Sequence, residues 1–562
     1  MAVLDPAPEW ALPYPPRSGC SVEPLVEAAA MFPALERLAL AAERSVWLAF
    51  RVFDPDTKTR SDEAKAIGLA RWSDLIRHTI GRGVEVRILL SDFEPVLADH
   101  LHAGSWHTYL GIRAILETLP EAQRSCLQLI VIQHEGELGR VWRHVLRFAV
   151  HRRIRTVVEK FIGGDRFDDG GLLTRPGLWP HVRWEGDTVA GYRRAPPPRL
   201  WPATYHQKFA VVDGRRAVIG GIDLDERRWD DRRHSQRADQ TWHDVSALIA
   251  GDVAADAAHH FAFLWNREVP RYRAIGAEWT ANGDRELMLD PLDEASLPAA
   301  APHASGAATV QLARTVSINS ASWFATGPRR AVRELMAAHR AVIEHARERL
   351  YIEAQFFRSD AAADWVEAAL RSKPRLEVIV LVANTPEEIA FEGQGDNPAH
   401  RHGEYLQARA LGRLLRKAGP ERIGLFTLAK HERVKGGEHE FEESRGTAYD
   451  AGLIHIHSKL LIADDALCLL SSANINGRSF NWDTELGILW AEEGGAITAF
   501  RKTLWDQLFA GGAPADLAGW RDIARANAGT TPEKRQGFVV PYQLGRARRY
   551  GRRFFFVPDD LV

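Results

Sequence analysis

An internal duplication governs the reading of this sequence. The segments ALERLALAAERSVWLAFRVF (34–53) and AHRAVIEHARERLYIEAQFF (338–357) each read as an amphipathic helix running into a strand, with Phe53 matching Phe357 at an offset of 304. Next, GVEVRILLSDFEP (83–95) matches RLEVIVLVANTPEE (375–388), a buried strand ending in a polar loop, with Glu85 on Glu377 at an offset of 292. Last, HQKFAVVD (206–213) matches HSKLLIAD (457–464) at an offset of 251. The order is preserved, and the shrinking offset puts the longer insertions in the first copy.

Apolar residues at three- and four-residue spacing mark the helices, and short runs of Val, Ile and Leu mark the strands. Strands that alternate with helices predict an α/β fold of mixed, mostly buried sheets flanked by helices. The 562 residues suffice for two pseudo-symmetric lobes. The expected division is a first lobe over 1–275, a linker over 276–308, a second lobe over 309–500 and a tail over 501–562 packed on the core. The Ala-, Pro- and Ser-rich stretch 293–308 is the core of the expected linker. A duplicated domain buries its shared face, so each copy brings one motif to an interface between the lobes.

The motifs carry phosphoryl chemistry. His206, Lys208 and Asp213 recur at the same spacing as His457, Lys459 and Asp464. Alternation along a strand turns each His and Lys to the same face and the Asp to the other. One neutral imidazole can attack phosphorus while a second, protonated one serves the leaving alkoxide. Two lysines would hold the non-bridging oxygens, and no metal or other cofactor is required. Asp213 and Asp464, though part of the motifs, suit bracing of the following loop better than chemistry. Asp244 in TWHDV and Glu485 in NWDTEL are candidates for orienting the imidazoles, with Asp483 the rival to Glu485. Counting on from each His pairs Asp223 with Asn474 and Gly221 with Ser472. The small residues would let backbone approach a phosphate, and Asn474 could donate to its oxygen.

Net charge of −2 speaks against a nucleic-acid partner. The three cysteines (Cys20, Cys126 and Cys468) fit neither a metal nor a disulfide pattern. No run of 18 apolar residues is present, and the N-terminus lacks the charge and apolar run of a leader. The expectation is a monomer in the cytoplasm or at a membrane periphery, with leaderless export as another route. His455 reads as packed or solvent-facing rather than metal-bound. Trp229 and Trp482 flank the motifs and suit either a pocket wall or the core. The polar loop 440–452 could cover the site, and the tail RARRYGRRFFFVP has the basic-aromatic character of a membrane contact.

The paired motifs resemble the phospholipase D superfamily, whose signature is His-x-Lys-x4-Asp twice in one chain. HQKFAVVD with GGIDLDERRWD, TWHDV, YIEAQFF, and IHIHSKLLIADD with SSANINGRSFNWDTEL look like the eukaryotic-type members over roughly residues 20–500. The resemblance implies two lobes with the site between them, and cleavage of phosphatidylcholine-like lipids to phosphatidic acid with exchange onto alcohols. It implies His206 as nucleophile, His457 as general acid, a phospholipid at a membrane surface as substrate, and water or an alcohol as acceptor. Ala354 departs from the family, which has Asn there. The alternatives are a phosphatidyltransferase of the cardiolipin synthase kind, a nuclease on the same fold, and a lipid-binding scaffold without activity.

Overall fold

Two mixed sheets laid out in the same strand order carry the duplication. The computed structural model describes residues 9–168, 170–196, 199–279, 289–297, 306–391, 395–434 and 445–562. The first sheet runs Arg17–Val26, Val245–Ala250, Arg216–Gly220, Lys208–Val212, Ser45–Phe50, Glu85–Ser91, Leu127–Ile132. The second runs Ala308–Ile318, Glu485–Ala491, Leu467–Ser471, Lys459–Ala463, Arg349–Ala354, Glu377–Val382, Ile423–Arg433. In each, the last three strands are parallel and the others antiparallel. Arg17–Val26 pairs antiparallel with Ala308–Ile318 and joins the two sheets.

The symmetry extends to single residues. Ser45 opposes Glu85 as Arg349 opposes Glu377. Phe53 bridges Leu224 as Phe357 bridges Ile475. The helices Ala28–Ala41 and Glu334–His345 bury Leu35 and Leu38, and Leu335 and Val342, against the outer face of their own sheets. A third apolar core is common to both lobes, with Phe209, Phe261 and Trp265 from one and Tyr351, Trp505 and Trp520 from the other. Burial of such rings stabilises by roughly 2–3 kcal/mol each, so the lobes are held together by core packing.

The segments expected as linker and tail make defined contacts. Residues 289–297 are docked rather than free: Leu289 is buried, the Asp290 carbonyl accepts from Arg87 and Trp265, and Gln128 accepts from the Asp290 amide. Residues 280–288 and 298–305 of the expected linker lie outside the described residues. Beyond residue 501 the chain enters the second sheet, where Val539–Pro541 pairs with Ile423–Arg433. Within RARRYGRRFFFVP, Arg546 is buried and donates to the Thr447 carbonyl, while Phe555 and Phe556 stand exposed. Of the 440–452 loop, 440–444 lie outside the described residues, and Thr447–Ala448 pairs with the strand Ala451–Ile456.

Candidate active site at the lobe interface

The spacing of each motif is the geometry of one hairpin. Lys208 and Lys459 are the first residues of five-residue strands, and Asp213 and Asp464 are the first turn residues after them. The turns need left-handed backbone, with Asp213 at φ 55° and Gly214 at 65°, and Asp464 at 52° and Asp465 at 57°. Aspartate tolerates that region better than most side chains. Its carboxylate also closes the start of the neighbouring strand. Asp213 accepts from the amides of Glu43, Arg44 and Ser45, and Asp464 from those of Arg347, Glu348 and Arg349, at 2.7–3.0 Å. A five-residue strand puts them about 16 Å from the histidine end. Asp213 and Asp464 therefore shape the hairpins and do not belong with the reacting groups.

Each histidine precedes its strand and is tied to the opposite lobe. The His206 and Gln207 amides donate to the Thr484 carbonyl, at 2.8 and 3.0 Å, and the His457 and Ser458 amides to the His243 carbonyl, at 2.8 and 3.2 Å. The side chains cross as well. His206 Nδ1 lies 2.9 Å from Glu485 Oε2, and His457 Nδ1 lies 2.7 Å from Asp244 Oδ2. Each carboxylate thus serves the imidazole of the other motif. The register explains why: Ser246 opposes Gly220 as Gly487 opposes Ser471, so Asp244 and Glu485 occupy equivalent positions.

Burial sets the electrostatics. It drives both imidazoles well below their ordinary pKa, and the lysines of both motifs push each further down, joined by Arg51 at His206 and Arg228 at His457. Burial also lowers Lys208 to about 8 and Lys459 to about 7, and raises Asp244 to about 7 and Glu485 to about 8. Crowded, mutually repelling cations beside two neutral imidazoles suit the binding of an anion. With a carboxylate on each Nδ1, a proton lies between the two groups and Nε2 is left for chemistry.

The two lysines are held alike. Lys208 Nζ donates to the His206 carbonyl at 2.6 Å, and Lys459 Nζ to the His457 carbonyl and, at 3.3 Å, to Gln355 Oε1. Asn474 Nδ2 also donates to Gln355 Oε1, at 3.3 Å, while Asp223 accepts from the Val52 amide at 2.9 Å. Asn474 Oδ1 and Asp223 Oδ2 are buried and have no hydrogen-bond partner among the described residues. Ser472 Oγ donates to Glu485 at 2.5 Å. At the matching position a Cβ on Gly221 would stand 2.7 Å from Asp244 Oδ1. So Gly221 makes room for one carboxylate, and Ser472 holds the other.

No family model matches the chain. Phospholipase D1 of Cricetulus griseus is 29% identical over 279 residues, covering 44% of this chain and 24% of that protein. The Homo sapiens phospholipase D1 is 30% identical over 281 residues, with the same coverage of 44% and 24%. Phospholipase D beta 2 of Arabidopsis thaliana is 25% identical over 403 residues, 54% of this chain and 43% of that protein. The chain belongs to the phospholipase D superfamily. It spans 24% of the length of the mammalian phospholipases D it matches. Among solved structures, phosphatidylserine synthase of Haemophilus influenzae Rd KW20 is 14% identical with a TM-score of 0.47 over 88% of each chain. The phospholipase D family member Nuc from Salmonella typhimurium is 13% identical with a TM-score of 0.21, covering 36% of this chain and 93% of that one.

Several residues of this phospholipase D-type site carry no sequence signature of their own. Glu27, at φ 66°, accepts from the Asp244 amide at 3.2 Å and lies 2.6 Å from His243 Nδ1, while Glu353 lies 3.2 Å from His243 Nε2. Flanked by two carboxylates, the His243 imidazole is pulled well above its ordinary pKa against the cost of its burial. This clamp fixes the strand that presents Asp244. Arg51 and Gln355 were findable, because the offset of 304 that aligns Phe53 with Phe357 also aligns them. Ala354 is buried in the outer core of its lobe, so the departure from the family pattern falls away from the site.

The remaining candidates resolve individually. Asp483 is not the carboxylate on His206 Nδ1; it pairs with Arg478 at 2.8 Å and accepts from the Thr204 amide at 2.8 Å. His455 is packed, its ring edge-on to Trp242 at 4.9 Å. Trp229 is half-buried with the Arg60 guanidinium over its ring at 4.2 Å, and Trp482 packs on Gly327. The ligand atoms of His206, Asp483 and Glu485 fall within 4.8 Å of one another, as do those of Glu27, His234 and His243. The donors of the first group are engaged by the partners just named, and in the second Glu27 holds His243 while His234 Nδ1 lies 2.8 Å from Asp230 Oδ2, so neither set fits a resident metal better than it fits its hydrogen bonds.

Proposed function

We propose that the protein is a phospholipase D that cleaves the distal phosphodiester of phosphatidylcholine- or phosphatidylethanolamine-like lipids through a phosphohistidine. The observation that carries this reading is the crossed arrangement: two imidazoles, His457 buried and His206 partly open to solvent, each backed by a carboxylate from the other lobe, beside two buried lysines. His206 Nε2 attacks phosphorus and forms the P–N bond as the bond to the head-group oxygen breaks. His457 gives its Nε2 proton to the departing alkoxide. The incoming phosphodiester anion raises the affinity of His457 for that proton, which burial and the neighbouring cations hold low. His457 then takes a proton from water or an alcohol, whose oxygen displaces His206 and yields phosphatidic acid or a phosphatidyl-alcohol. Lys208 and Lys459 offset charge on the non-bridging oxygens throughout.

The deciding experiment is incubation with phosphatidylcholine vesicles and a primary alcohol, followed by mass analysis. Phosphatidic acid and phosphatidyl-alcohol together are expected. Phosphatidyl-alcohol alone would favour a transferase. Neither product across several head groups, with folded protein, would sink the lipase reading and turn attention to nucleic acid.

A further inference from the structure

The helix Arg140–Glu159 is built in two unlike halves. Its second half buries Val150, Ile154, Val157 and Val158 in a small core with Leu178 and Val189. Its first half buries nothing: none of residues 140–149 is buried. Yet Trp142, Val145, Leu146 and Ala149 recur at the spacing of one helical stripe. Val145 is 62% exposed and the neighbouring Phe148 is 65% exposed. The loop after Ala308–Ile318 adds Trp323, 63% exposed, and Phe324, 71% exposed.

The two segments are tied together. The Gly139 amide donates to the Ala325 carbonyl at 2.8 Å, the Val141 amide to Trp323 at 3.1 Å, and Trp142 Nε1 to the Phe324 carbonyl at 3.0 Å. Arginines flank them: Arg140, Arg143 and Arg147 lie on the same half of the helix, with Arg143 3.6 Å from Glu137, while Arg153 and Arg155 of the second half pair with Asp99 and Glu159. The Arg140 guanidinium lies 5.6 Å from the Trp323 ring centre and that of Arg147 lies 4.5 Å from Phe148. Exposed Trp and Phe among arginines match a partner that is apolar inside and anionic at its surface. The same segments lead into the site wall: Ser317 Oγ donates to the Trp482 carbonyl, and the His134 ring lies 5.2 Å from Tyr205, next to His206.

We propose that this face seats the protein on a bilayer bearing anionic head groups. The inference rests on the lipid reading above for its choice of partner, and its test reads binding rather than turnover. The full chain is floated with phosphatidylcholine vesicles, with and without phosphatidylglycerol. It is compared with Trp142→Ser/Phe148→Ser/Trp323→Ser/Phe324→Ser and with Arg143→Glu/Arg147→Glu. Salt-sensitive binding to the anionic vesicles is expected, falling about tenfold or more in both variants. Hydrolysis of a short-chain, monomeric phosphatidylcholine should stay unchanged. Failure of the unaltered chain to bind anionic vesicles, or variants that bind as it does, overturns the proposal. So does a dimer that the aromatic variant dissolves without any vesicle binding, which would make a second copy the occupant. Vesicle binding without turnover of any lipid would sink the catalytic reading and leave this one standing.

Discussion

The two half-sites present the same strands in the same order, yet they meet the same needs with different residues. Around Lys208 stand Arg51 and Asp223; at the equivalent positions around Lys459 stand Gln355 and Asn474. A cation and an anion in one half are replaced by two amides in the other, so net charge is conserved. The cross-strand pair Ser246 with Gly220 becomes Gly487 with Ser471. A Cβ on Gly220 would stand 2.0 Å from Ser246 Oγ, and one on Gly487 2.4 Å from Ser471 Cβ. One partner of each pair must be glycine, and the duplication has exchanged which. What is kept around the two lysines is volume and charge balance, while residue identity is kept at the histidine, the lysine and the turn aspartate.

The sharpest way to break the equivalence is to remove the histidines. His206→Asn and His457→Asn should each cost about 10⁴-fold or more in kcat without unfolding, as seen by circular dichroism. A p-nitrophenyl phosphodiester, whose leaving group needs no acid, then separates them: only the chain retaining His206 should gain phosphoryl mass. Mass gain in His206→Asn instead would exchange the two roles. The carboxylate supports come next. Gly221→Ala should lower kcat by about 10²-fold by displacing Asp244, whereas Ser472→Ala, which removes one hydroxyl from Glu485, should cost about tenfold. Equal losses would mean that the two carboxylates are held in the same way.

A smaller effect concerns the lysines. With Lys459 lowered to about 7 and Lys208 to about 8, each loses its charge as pH rises through that value. Inhibition by tungstate should therefore weaken by at least about tenfold from pH 6 to pH 9. A flat inhibition constant would show that both ammonium groups stay charged. The smallest effect tests the balanced pair. Arg51→Gln and Asp223→Asn should each destabilise by about 1–2 kcal/mol in urea unfolding, and the double variant by less than either. Additive losses would leave the two charges uncoupled.

Much of this was legible in the sequence because the duplication supplied an internal alignment. It gave the α/β alternation, the matched hairpins and the pairing of Asp223 with Asn474 and of Gly221 with Ser472. It also held Arg51 and Gln355 in register. The clamp of Glu27 and Glu353 on His243 was not legible, since a buried glutamate in a helix-flanking turn or a strand looks like any other acid. The docking of 289–297 was hidden in the same way, because composition reads as a linker whatever surface the segment finds.

The sequence by itself determined which residues could do chemistry and where each hairpin would turn, because those follow from local spacing and backbone preference. Only the tertiary structure decided that Glu485 serves His206 and Asp244 serves His457. That choice belongs to the packing of one sheet against another, where residues more than 200 positions apart are brought to hydrogen-bond distance by a shared core. No local pattern encodes it.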